Sequence, residues 1–239
     1  MTSTPSVLTP PEGLARYERD TAAIADRLVD VDVAAPVPTC PGWTVTDLIL
    51  HLGEVHQWVG HAIREGTPDG AFTPPEKTDA AALSGWYAEQ AGALADLLRV
   101  TDPETPVWHF GPKPRVARFW FTRQAHEVAI HRIDLAAAAG DPWPLPDETA
   151  AIDGILEIAD VFYPRQVRLG RIEAIDAGVT FIAGDHSRLI GERSVAEVSG
   201  PASVLQPLMW GRIAPDDPRV TITGDADAVR RVLGSGIIP

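Results

Sequence analysis

The chain has a single cysteine, Cys40, in 239 residues. No intramolecular disulfide can form from it, and no thiolate-rich zinc site can be built. That scarcity fits a reducing compartment. Lysine is scarce as well: Lys77 and Lys113 are the only two among 20 basic residues. With 33 acidic residues the formal net charge is −13, and no basic stripe is available to displace counterions from phosphates. Nucleic acid is therefore not the expected partner, and neither is an anionic membrane surface. No window reaches the ~20 apolar residues of a membrane span. Met1–Pro11 lacks a basic stretch leading into an apolar core, the pattern of a secretory signal. These absences lead to the expectation of a cytoplasmic protein that handles small molecules, as a monomer or homodimer.

What is present is helical periodicity followed by a change of character. From Glu12 to Val31, apolar residues recur at Leu14, Tyr17, Ala22, Ala25, Leu28 and Val29. A proline-containing loop, Pro36 to Trp43, interrupts the chain, and Thr44 with Asp47 reads as a capping box opening a second helix to about Glu65. Thr78 is the cap expected for a third helix, Asp79 to Val100. A fourth runs from Val116 to Ala139 and stops at Gly140. Four such helices predict a bundle over residues 1–145. Three prolines between Gly140 and Asp147 then mark a linker. Beyond it a helix is expected at Glu148–Arg168. Strand-like runs follow at Gly178–Ala183, Arg188–Ile190, Ser194–Val198 and Arg219–Thr223, with helices at Pro201–Trp210 and Asp225–Leu233. Residues 146–239 are thus expected to form a smaller α+β domain, and the whole chain is α+β.

The placement of the histidines is more informative than their number. His131 follows Glu127 by four residues, so their side chains stand only ~40° apart around a helix. His126 and His131, five apart, diverge by ~140°, which rules out a His-Glu-x-x-His protease helix. Phe119, Arg123, Glu127, His131 and Asp134 share one stripe of the fourth helix. On the second helix His51 shares a stripe with Leu48, Val55 and Trp58 and points inward. By itself an inward histidine is ordinarily a hydrogen-bonded core residue. Taken together, His51, Glu127 and His131 would form a two-histidine, one-carboxylate site with a position left open, the catalytic rather than the structural arrangement for zinc.

The run Cys40-Pro41-Gly42-Trp43-Thr44-Val45-Thr46-Asp47-Leu48, closing on Leu50-His51-Leu52, resembles the N-terminal signature of the mycothiol-dependent maleylpyruvate isomerase family. So does Glu127-Val128-Ala129-Ile130-His131-Arg132-Ile133-Asp134. Val198-Ser199-Gly200-Pro201-Ala202, Trp210-Gly211-Arg212 and Val220–Asp225 are similar to the smaller C-terminal domain of that family. The resemblance implies a DinB-like metal-binding bundle with Zn²⁺ on His51, Glu127 and His131. It also implies mycothiol as thiol cosubstrate and a small acidic electrophile as its partner. Val128 and Ile133 depart from the residues usual in the family, but neither is a ligand position.

Other residues carry open alternatives. Arg123 is expected either to hold a substrate carboxylate or to pair with Glu127. Arg212 is expected either to bind an anionic group of thiol or substrate, as a catalytic and cosubstrate-binding residue, or to satisfy helix-terminal carbonyls. Asp134 and Asp47 are possible acceptors for the imidazoles of His131 and His51, with a capping role favoured for Asp47. Cys40 reads as a small packed residue, Trp43, Trp58 and Phe119 as core, and His56, His61 and His186 as surface or structural residues. His109, in the long loop before the fourth helix, is a conceivable lid residue. The functional expectation is a zinc-dependent, mycothiol-using isomerase or S-transferase. A metal sensor without turnover and a zinc-water hydrolase are its rivals.

Overall fold

The computed structural model describes residues 7–239. Residues 1–6, which fall within the expected first domain and the segment read for a secretory signal, lie outside the described residues. The chain divides into two compact units: Thr9–Pro144, and Leu145–Pro239 joined by Val7 and Leu8.

The first unit is a four-helix bundle. Helix α1, Pro10–Leu28, begins two residues before the expected start at Glu12, because proline at the first turn loses no hydrogen bond. Glu12 Oε2 accepts the Thr9 N–H at 2.9 Å. Helix α2, Val45–Glu65, opens on the expected capping box, Thr44 and Asp47 each accepting the other's backbone N–H. Helix α3 spans Ala80–Val100, and its cap is Asp79 rather than Thr78: the Asp79 carboxylate accepts the Ala82 N–H at 3.1 Å. Helix α4 is Arg118–Ala139. In cross-section the order is α1-α3-α2-α4, since α1 and α2 each pack on both α3 and α4. Gly13 lets α1 approach α4 closely, as a Cβ there would lie 2.7 Å from the Phe121 carbonyl oxygen. Tyr17, Leu52, Tyr87 and Trp120 are fully enclosed in the core.

The second unit is α+β, as the sequence predicts. The helix expected at Glu148–Arg168 is present, but in three parts: α5, Glu148–Glu157; a π-helical turn, Ile158–Phe162; and α6, Tyr163–Arg168. Pro164 supplies the reason, since its missing N–H cannot close the regular i→i−4 ladder. Strands β1 (Ala177–Ala183), β2 (His186–Ile190), β3 (Arg193–Ser199) and β4 (Thr221–Gly224) form one sheet in the order β2-β1-β3-β4. The β1/β3 pair is parallel and the others antiparallel. β1 alternates in the manner of a half-covered strand, burying Val179, Phe181 and Ala183. Helix α7, Ala202–Met209, packs on α5, and α8, Ala226–Gly234, lies against β1 and β3. No helix of the described residues is long and apolar enough to cross a membrane.

Candidate metal centre

Of the four seams in the bundle, the one between α2 and α4 is the most sparsely packed, and it carries the polar residues. His51 projects into it from α2, and Arg123, Glu127, His131 and Asp134 from successive turns of α4. The donor atoms of His51, Glu127 and His131 lie within 4.8 Å of one another. His51 Nε2 is 3.0 Å from Glu127 Oε1, and His131 Nε2 is 3.4 Å from the same oxygen. Zinc bonds of about 2.0–2.1 Å in a tetrahedron place ligand atoms about 3.3 Å apart. These residues therefore fit a small divalent cation in both donor type and spacing.

Two of the three candidate ligands, Glu127 and His131, are held by a neighbour. Arg123, buried one turn before Glu127, forms an ion pair with Glu127 Oε2, which turns Oε1 toward the histidines. Of the two roles open for Arg123, pairing with Glu127 is the one its geometry displays. His131 Nδ1 is 2.8 Å from Asp134 Oδ2. A carboxylate only accepts, so Nδ1 carries the proton and Nε2 presents its lone pair to the site. Burial, followed by the nearby His131, pushes the pKa of His51 down to about 4. At neutral pH His51 is thus an uncharged imidazole, the form that ligates metals. Its side chain remains 34% exposed, against 10% for Glu127, so the seam is open on the His51 side.

Trp43 packs against the bundle core, as expected, but it is only half-buried and also forms a wall of the site, 5.1 Å from the His51 ring and stacked at 6.3 Å on His131. Its position in the loop just before the α2 cap was the available signal. A second group, Cys40, His131 and Asp134, also brings ligand-type atoms within 4.8 Å, on the Nδ1 side of His131.

The remaining singled-out residues lie elsewhere. Asp47 caps α2, as favoured. His126 is buried but belongs to neither metal-capable group of the described residues. His56 is a core residue, its Nδ1 3.1 Å from Gln124 Oε1. His109 is packed rather than poised as a lid: its ring stacks on Phe119 at 4.2 Å, and Nδ1 accepts the Gly111 N–H. Burial holds the pKa of both His56 and His109 at about 4. His61 bonds Thr67, and His186 is exposed. In the second unit Arg212 follows α7, donates to the Trp210 carbonyl at 2.7 Å and lies over the Trp210 ring. That is the carbonyl-satisfying alternative for Arg212.

Comparison with known proteins gives two family matches. The model described as the mycothiol maleylpyruvate isomerase N-terminal domain matches residues 14–136, and the one described as the MDMPI C-terminal domain matches residues 149–231. No curated protein matches the sequence. Among solved structures, the chain is similar to the crystal structure of the mycothiol-dependent maleylpyruvate isomerase, at 18% identity and a TM-score of 0.66. It is also similar to a histidine-to-alanine mutant of such an isomerase, at 16% identity and a TM-score of 0.68. Each match covers 93% of this chain and 98% of the other. At such identities the likeness is one of fold.

Proposed function

The chain belongs to the mycothiol maleylpyruvate isomerase family, and from that premise we propose that it is a zinc-dependent enzyme using mycothiol. Its thiolate would add to a small acidic electrophile, in cis–trans isomerisation or S-transfer. The observation that supports this reading is the convergence of His51, Glu127 and His131, whose donor atoms lie within 4.8 Å of one another. A divalent ion bound there supplies one thing, the withdrawal of a proton from a thiol at neutral pH.

The chain's own residues do the rest. Arg123 fixes Glu127 by its second oxygen, Asp134 fixes the tautomer of His131, and the wall formed by Trp43 keeps water off one side of both imidazoles. The more exposed edge at His51 is the proposed side of approach for thiol and electrophile. For an isomerase, the thiolate sulfur would add to one alkene carbon as the π pair moves onto the conjugated carbonyl; the former double bond, now single, would rotate, and the pair would return to re-form it as the sulfur leaves with the C–S electron pair, so no thiol is consumed.

Cobalt substitution tests the reading. Adding mycothiol to the Co²⁺ protein should produce a thiolate-to-cobalt charge-transfer band, and His51→Ala should lose both metal and band. No band, together with full zinc binding by His51→Ala, would overturn it. Metal-dependent ester cleavage without thiol would point to a hydrolase instead.

A further inference from the structure

The loop that leads into α2 is a closed hairpin. The Val37 N–H donates to the Trp43 carbonyl at 2.9 Å, the Cys40 N–H to Val37 at 3.0 Å, and the Trp43 N–H to Cys40 at 3.0 Å. Gly42 makes the turn at φ 88°, a conformation glycine adopts without a Cβ clash. From this hairpin two side chains reach α4: Thr39 Oγ1 donates to Asp134 Oδ1 at 2.6 Å, and Cys40 Sγ to Asp134 Oδ2 at 3.3 Å. Asp134 has no solvent exposure, and its Oδ2 also accepts the His131 Nδ1–H. Donors on both oxygens from a second, rigid element fix its plane, and the plane of the carboxylate sets that of the ring.

We propose that Thr39 and Cys40 are positioning residues of the metal centre, holding Asp134 so that it presents His131 Nε2 to the ion. The proposal rests on the metal reading above. It makes Cys40 a hydrogen-bond donor, not a nucleophile and not a ligand. The competing use of Cys40, His131 and Asp134 as a second cation site would require the S–H and N–H protons to leave. It would exchange hydrogen bonds already made for metal bonds.

Two variant pairs separate these possibilities. Thr39→Val/Cys40→Ala removes both donors, while Thr39→Ser/Cys40→Ser keeps a hydroxyl at each position. Zinc affinity is read by chelator competition. The His131 Nδ1–H signal is read by ¹⁵N-histidine NMR on the zinc-stripped full chain, with circular dichroism verifying the fold and Thr39→Val alone as a milder substitute. The donor-less pair should bind zinc about 10-fold or more weakly and lose protection of the Nδ1 proton, and the serine pair should restore both. Wild-type affinity and an intact signal in the donor-less pair would overturn the proposal. So would loss of zinc in Cys40→Ser alone, which would make the sulfur a ligand. If the full chain takes up no zinc while the His131 signal still depends on both donors, the positioning role stands and only the metal reading falls.

Discussion

The two units treat buried polarity in opposite ways. In the α2/α4 seam of the bundle, buried ionisable groups pair with one another, Arg123 with Glu127 and His131 with Asp134, and elsewhere in the bundle buried Asp20 meets the part-exposed Arg132 at 2.7 Å. In the α+β unit, buried polar side chains fasten backbone. Asp153 accepts the N–H groups of Val7 and Leu8, and Gln166 donates to the Ile238 carbonyl at 2.5 Å, so both tie down chain ends. Fastening backbone is what a fold needs, since a buried N–H or C=O must find a partner. Pairing charge with charge in a core is costly and adds little net stability over apolar packing. Where such pairs crowd one seam, their usefulness lies in chemistry.

The sharpest way to break this contrast is to remove one member of a bundle pair. Glu127→Ala takes the paired carboxylate away from the buried Arg123, which should cost about 3–5 kcal/mol in urea unfolding. A loss under about 1 kcal/mol would mean the pair behaves like a surface bridge. The second effect is a pH dependence. His56 is only 1% exposed, and burial lowers its pKa from 6.5 to about 4. Between those values the unfolded chain binds the extra proton, so stability is complete above pH 6.5 and declines as pH falls toward 4. At about 1.4 kcal/mol per pH unit the loss from this residue approaches about 3 kcal/mol. His56→Gln should flatten that part of the profile, and an unchanged acid slope would remove His56 as its source. The smallest effect belongs to the other unit. Asp153→Ala should cost about 1–3 kcal/mol through two unsatisfied N–H groups and speed hydrogen exchange at Leu8. Zinc affinity should not change, and a fall in it would show that the division of labour between the units is wrong.

Much of this was legible in the sequence. The helices followed from apolar periodicity and caps, because helical packing writes its period into adjacent residues. Glu127 and His131 were legible for the same reason, as neighbours on one helix, and the family motif joined His51 to them. The misreadings concern contacts between distant segments. The approach of Thr39 and Cys40 to Asp134 spans 95 and 94 residues, so no local pattern encodes it. Trp43 reads as core and does pack against it, but its place against two imidazoles depends on how its loop folds and leaves no local pattern. Thr78 and Asp79 are equally good caps in composition, and the backbone turn decided between them. The burial of His109 depends on how its loop folds back over Phe119, which proline content alone does not indicate.

The spacing of the ligand set has a consequence for folding. His51 and Glu127 are separated by 76 residues of chain, so no partly folded species lacking either α2 or α4 owns more than a fragment of the site. A cation held by the proposed set would bind the native bundle and not its precursors, and by mass action it would stabilise that state. The proposed centre would thereby double as a checkpoint, capturing an ion only in chains whose second and fourth helices have already found each other.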